Sequence, residues 1–219
     1  MSNIKAVIFD MDGLLLDTEI IARSTFIAAC RECGFEPDLK VYNQCIGTTY
    51  KKTEEILKKG YGKSFDYESV SKIWGRKFDK QVENEPVPLK MGALSLVQYL
   101  EDRRMKMAVV TSTRRSIAVK ELTNAGLLQF FKLVIGGDEI THGKPDPDIY
   151  LKACSELQEE PPGCLALEDS DNGVRAAHSA NLTVIQVPDL VEPSIEVMEL
   201  GHQIVKSLLA VEKMFKESS

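Results

Sequence analysis

Two carboxylates, Asp10 and Asp12, follow the apolar run Ala6-Val7-Ile8-Phe9 and are themselves followed by Gly13. A continuous apolar run of this kind suits a strand buried on both faces of a parallel sheet. In open α/β sheets ligands bind just beyond the carboxyl ends of the strands, so the two acids stand where chemistry is placed. Side by side they repel, and one pKa is driven upward unless a counter-charge is near. A bound divalent cation removes that cost. The spacing is not that of an EF-hand, which needs an oxygen ligand at the position of Leu14 and a glycine at that of Leu15. Asp and Gly also serve as ordinary turn residues, so this stretch is weighed with the rest of the chain.

Three further segments carry residues suited to phosphate or metal. The apolar stretch 105–111 ends in Thr111-Ser112-Thr113, just before a helical pattern. Hydroxyls and backbone N–H groups at a helix start can bind an anion, although Ser and Thr also cap helices routinely. His142-Gly143-Lys144-Pro145-Asp146-Pro147 sets one lysine in an extended loop, where its ammonium could neutralise a phosphoryl oxygen. The stretch 164–168 ends in a second acid pair, Glu168-Asp169, ahead of Ser170 and Asn172-Gly173.

The elements that must hold these residues can be read from periodicity. Strands are expected at 4–10, 105–111, 132–136, 164–168 and 183–187, with helices at 91–102, 115–125, 171–180 and 204–216. Gly126 is the expected C′ residue of one helix, and Asp146-Pro147 is expected to open another as cap and N1 proline. Between the first strand and Pro86 only helical patterns occur, at 19–33, 38–46, 49–59 and 67–84, with Thr18 as the N-cap of the first. Too long for a loop, this segment reads as an inserted domain. The expected fold is therefore a doubly wound, Rossmann-like parallel α/β sheet formed by 1–16 and 87–219, with an all-helical cap at 17–86. Glu85-Pro86-Val87-Pro88 stiffens the return.

Composition narrows the partners. The chain has 219 residues, is 43% hydrophobic and carries a formal charge of −6, with no basic block to follow a nucleic acid backbone. No apolar run approaches the length of a membrane span, and nothing at the start resembles a signal peptide. A cytoplasmic protein, monomeric or weakly dimeric, is expected. The five cysteines are scattered, and the Cys30–Cys33 pair falls in a helical pattern where packing explains it better than zinc or redox chemistry. His142, His178 and His202 show no ligand spacing.

Taken together, in this order and each at a strand end, the four segments resemble the motifs of the haloacid dehalogenase superfamily of phosphohydrolases. The matching residues are Asp10 to Thr18 (DxDGxLxDT), Thr111-Ser112, Lys144 in GKPDP, and Glu168-Asp169 in LEDSDNG. The subgroup most similar holds β-phosphoglucomutase, sugar-phosphate phosphatases and pseudouridine-5′-phosphatase. The resemblance implies that Asp10 is a nucleophile forming an aspartyl-phosphate and that Asp12 is the general acid and base. It implies Mg²⁺ on the Asp10 carboxylate, the Asp12 main-chain carbonyl and Asp169, with Glu168 as second choice, and phosphoryl oxygens held by Thr111, Ser112 and Lys144. The substrate would be a small phosphorylated metabolite, a sugar phosphate or a nucleotide such as pseudouridine 5′-phosphate. Specificity would come from the cap, around Gly47-Thr48-Thr49 and helix 67–84. One departure bears on the reaction. β-Phosphoglucomutases carry a histidine four residues after the Thr of the first motif, where this chain has Ala22. That favours a phosphatase over an isomerase of the mutase kind. The intact acids and lysine speak against a non-catalytic binding protein on the same fold.

Overall fold

In the computed structural model, which describes Met1, residues 3–46 and residues 50–218, the chain forms two compact units, Met1–Asp17 with Val87–Ser219, and Thr18–Pro86. The element order is β1 (Ala6–Phe9), α1 (Thr18–Glu32), α2 (Leu39–Asn43), α3 (Tyr50–Tyr61), α4 (Tyr67–Asn84), α5 (Ala93–Asp102), β2 (Lys106–Val110), α6 (Arg115–Asn124), β3 (Leu133–Ile135), α7 (Asp148–Leu157), β4 (Cys164–Glu168), α8 (Asp171–Ser179), β5 (Thr183–Gln186), α9 (Ile195–Met198), β6 (Gln203–Ile204) and α10 (Leu208–Glu217). Among the described residues no helix is long and apolar enough to cross a membrane.

The first unit is the expected doubly wound α/β fold. Its sheet has strand order β3-β2-β1-β4-β5-β6, and every neighbouring pair is parallel. β1 is buried along its whole length, as its unbroken apolar sequence requires. One face of the sheet offers Ala6, Ile8, Ala108, Val110, Cys164, Ala166 and Val184, which pack with residues of α7 and α8 such as Ile149, Ala153, Leu157 and Ala177. Strand side chains alternate between faces, so the intervening Val7, Phe9, Met107, Val109, Leu165 and Leu167 point to the other face, where they are also buried. The winding reverses between β1 and β4, which makes the carboxyl ends of these two strands the switch point.

The second unit is helical, with its own core of Phe26, Ala29, Cys30, Tyr42, Leu57, Phe65, Tyr67 and Val70. The Phe26 ring lies 4.9 Å from Tyr42 and 5.2 Å from Trp74. Asp38 caps α2 and Asp66 caps α4 through their side chains. Cys30 and Cys33 are free thiols on α1 and the turn after it.

Some expectations need correction. Residues 204–216 are not one helix: Gln203–Ile204 forms the edge strand β6, and α10 starts at Leu208. A two-residue, exposed strand has no periodicity to detect. Pro147 is the N-cap of α7 rather than its N1 residue, and no side chain caps that helix. Thr18 is the first residue of α1 rather than its cap. Asp17 belongs to the α/β unit, because its N–H donates to Pro88 O at 2.8 Å and pairs the outgoing chain with the returning one. Gly47-Thr48-Thr49 lies outside the described residues.

Candidate active site

The strand register builds the site. Phe9 stands opposite Val109 and Leu167, so the next residues, Asp10, Val110 and Glu168, are level across the three central strands. Asp10 N–H continues the ladder to Leu167 O at 2.9 Å, and Thr111 N–H does so to Ile135 O at 3.1 Å. Past these points the sheet ends, and the side chains of Asp10, Asp12, Thr111, Glu168 and Asp169 are gathered at the switch point.

Lys144 reaches this cluster from the loop before α7. Its side chain is 6% exposed, and its ammonium donates to Asp10 Oδ1 and Glu168 Oε1, both at 2.5 Å. It is not the solvated lysine that most lysines are. Burial alone would lower its pKa, but the carboxylates of Asp10 and Glu168 outweigh burial and raise it, so the ammonium stays charged.

Glu168 is wholly buried and fully occupied by protein donors. Oε1 accepts from Lys144 and from the Tyr150 hydroxyl at 2.6 Å. Oε2 accepts from Asp169 N–H and from the Ser170 hydroxyl, each at 3.2 Å. Ser170 in turn caps α8 by accepting from Gly173 N–H at 3.2 Å. The carboxyl group leaves no room for a side chain at Gly173, where a Cβ would lie 1.9 Å from Glu168 Cδ.

Asp12 is set apart from the lysine. Its Oδ2 accepts from the hydroxyls of Thr111 and Thr113, both at 2.9 Å, and Thr111 Oγ1 also accepts from Thr113 N–H at 3.0 Å. The Thr111 proton is thus committed to Asp12, and Ser112 is exposed between the two threonines. Helix α6 starts at Arg115 with no side-chain cap, so Thr111 and Thr113 serve Asp12 rather than the helix.

Carboxylate oxygens of Asp10, Glu168 and Asp169 lie within 4.8 Å of one another. Burial, opposed by Lys144 and aided by Glu168 and Asp12, pushes the Asp10 pKa well above the ordinary carboxylate range. Burial together with Asp10 and Glu168 does the same to Asp169. Three acids share one ammonium, and the surplus negative charge is what a cation would neutralise. An all-carboxylate donor set suits a hard divalent ion. The Asp169 carboxylate is seated against Gly13 (φ +83°), where a Cβ would come 2.4 Å from Oδ2. Only glycine permits both that φ and that approach. The residues present therefore fit a cation.

Thr113, Ser170 and Gly173 stand in the segments singled out in the sequence, but their contacts here were not foreseen, and Tyr150 was not foreseen at all. Tyr150 lies three residues beyond the His142–Pro147 segment, and Thr113 closes the Thr111–Thr113 segment. Their hydroxyls read equally well as core and turn chemistry.

Fold and site together define an α/β protein with a lysine-paired acid cluster at its switch point, an arrangement fitted to anionic ligands and a hard cation. The haloacid dehalogenase-like hydrolase family model matches residues 7–187, and the chain belongs to that family. It is 30% identical over 178 residues to the phosphorylated carbohydrates phosphatase of Thermotoga maritima, covering 81% of this chain and 82% of the relative. It is 28% identical over 186 residues to the fructose-1-phosphate phosphatase YqaB of Escherichia coli K12, covering 83% and 95%. Among solved structures it superposes on CbbY from Rhodobacter sphaeroides, crystallised in complex with phosphate, with a TM-score of 0.74 and 26% identity over 94% of this chain and 95% of that one.

Proposed function

We propose that the protein is a Mg²⁺-dependent phosphatase that hydrolyses small phosphorylated metabolites, sugar phosphates or nucleotide monophosphates, through an aspartyl-phosphate on Asp10. The observation that carries this reading is the pairing of Asp10 with Lys144 at the switch point, beside an Asp12 held separately by two threonines. The phosphatase relatives support the substrate class.

In the first step an Asp10 carboxylate oxygen attacks phosphorus, the ester P–O bond breaks, and the leaving oxygen takes a proton from the Asp12 carboxyl. In the second, Asp12 takes a proton from water, the water attacks the aspartyl-phosphate, and inorganic phosphate leaves as Asp10 is restored. Both hydroxyls on Asp12 donate to Oδ2, which leaves Oδ1 to carry the proton. Lys144 holds Asp10 Oδ1, orienting the carboxylate and placing positive charge where the phosphoryl oxygens gather. Ser112 and Lys144 remain the proposed phosphoryl contacts, whereas Thr111, whose one proton goes to Asp12, would reach a phosphoryl oxygen only by exchanging that partner. Asp10, Asp169 and the Asp12 main-chain carbonyl would hold Mg²⁺. Both Glu168 oxygens already accept from protein donors, which puts Glu168 behind Asp169 as a ligand. When bound, the cation offsets the repulsion between an anionic nucleophile and a phosphate dianion. We assign specificity to the helical insert, including α4.

A phosphate-release screen over sugar phosphates and nucleotides, with and without chelator, tests the reading. We expect hydrolysis of small monoesters that stops on chelation and returns with Mg²⁺. Turnover unaffected by chelation would sink the metal-dependent part, and no release from any monoester would sink the phosphatase.

A further inference from the structure

We propose that Asp189, in the loop after β5, is a positioning residue of the cation site, its unpaired oxygen ordering the hydration of the cation beside Asp169. This rests on the metal-dependent reading above.

Asp189 belongs to none of the four motif segments. Its side chain is 8% exposed, and its Oδ1 is ion-paired with Lys90. Oδ2 is buried and has no hydrogen-bond partner among the described residues. A buried, unsatisfied anionic oxygen is costly, so it calls for a donor. Its position says which donor. A Cβ built on Gly13 would lie 2.4 Å from Asp169 Oδ2 and 3.4 Å from Asp189 Oδ2, so the two carboxylates face the same small space over that glycine. Asp189 also adds to the repulsion on Asp169. Two ionised carboxylates, both acceptors only, cannot satisfy each other. A hydrated divalent cation satisfies both, because Mg²⁺ keeps several waters and those waters are strong donors. Lys90 makes the arrangement rigid. Its ammonium fixes Oδ1, which leaves Oδ2 turned toward Gly13, and it also lies 3.8 Å from Asp17. Partners of this outer kind typically change metal affinity about 10- to 100-fold when removed.

Calorimetric titration of MgCl₂ into the intact, substrate-free protein reads the effect without turnover. Asp189→Asn keeps the shape and an acceptor for Lys90 but removes the anionic oxygen. Asp189→Ser serves as the second variant, and thermal melting in EDTA verifies that each is folded. Asp17→Asn is the control, since it removes an equal charge beside the same lysine. We expect wild type to bind the cation, both Asp189 variants to bind it about tenfold more weakly, and Asp17→Asn to change it far less. Equal weakening by Asp17→Asn overturns the proposal in favour of a general charge effect. Wild-type binding with unchanged Asp189 variants overturns it alone and leaves the metal site standing. A wild type that binds no cation overturns both.

Discussion

Lys144 and Asp10 are bonded to each other, yet the structure gives them opposite consequences on substitution. Asp10→Asn removes one of three crowded acids while Lys144 keeps Glu168 as a partner. We expect turnover to be abolished and the melting temperature to be unchanged or higher. Lys144→Ala leaves Asp10 and Glu168 buried with no counter-charge, which for a buried ion pair costs about 3–5 kcal/mol. We expect a clearly lower melting temperature and at least a tenfold loss of turnover, about 1.4 kcal/mol. Phosphate release and thermal melts on both variants decide it. A folded Asp10→Asn protein with substantial activity would rule Asp10 out as nucleophile. At this scale the sequence was most legible where a charged residue stands against expectation. Asp10, Asp12, Lys144 and Glu168 are conspicuous because charge at the end of a buried strand or beside a proline has few ordinary uses. Thr113 and Tyr150 are chemically unremarkable side chains, and what they touch depends on which strands become neighbours.

Between α8 and β4 the packing reverses an ordinary propensity argument. Alanine is favoured over glycine inside a helix by up to about 1 kcal/mol. At Gly75, an exposed position on α4 with nothing within 4 Å of an added Cβ, Gly75→Ala should raise the melting temperature. At Gly173 the same change drives a methyl group into the Glu168 carboxyl and should lower both the melting temperature and activity. Equal effects at the two sites, measured by thermal melts, would show that α8 shifts freely away from β4. The β5–β6 edge carries a pH effect. His202 Nε2 lies 2.8 Å from Gln186 Oε1, and Gln186 Nε2 donates to Asp169 O at 3.0 Å. Burial, then repulsion from His178, lowers the His202 pKa below its ordinary 6.5. The unfolded chain therefore takes up the proton first as pH falls, so stability is lost below about pH 6.5 and is unaffected above it. Replacing His202 with Gln should flatten that part of the melting-temperature profile, and an unchanged profile would place the acid sensitivity elsewhere. The longer helices and the five longer strands were legible because burial imposes period 3.6 or an unbroken apolar run, whereas the four-residue α9 was not expected. The edge strand β6 was not, since its pairing comes from Val205 N–H to Gln186 O and from the register with β5 rather than from its own residues.

As a whole the chain is two units with separate cores, and the α/β unit is assembled from segments on either side of the helical one. The sequence pattern shows this because a buried strand followed only by helical periods cannot complete a sheet until the later strands arrive. The chain carries a formal charge of −6, and at the switch point the buried Lys144 ammonium pairs with Asp10. For the proposed chemistry the remaining choice is between hydrolysis and isomerisation, and it turns on how long the proposed aspartyl-phosphate would survive. An isomerase must keep water from that intermediate until a second acceptor hydroxyl arrives. A phosphatase needs only a base ready to activate water, the role we propose for Asp12, whose Oδ2 accepts from Thr111 and Thr113 while Oδ1 is left for the proton. At the position of the mutase histidine, Ala22 offers a methyl group with no proton to exchange, and its carbonyl accepts the Trp74 indole N–H at 2.9 Å within the helical unit. Incubation with β-glucose 1-phosphate and a trace of the 1,6-bisphosphate separates the two outcomes. We expect any turnover to appear as inorganic phosphate, with no build-up of glucose 6-phosphate. Accumulation of glucose 6-phosphate with little phosphate release would make the protein an isomerase, with Asp12 serving sugar hydroxyls in place of water.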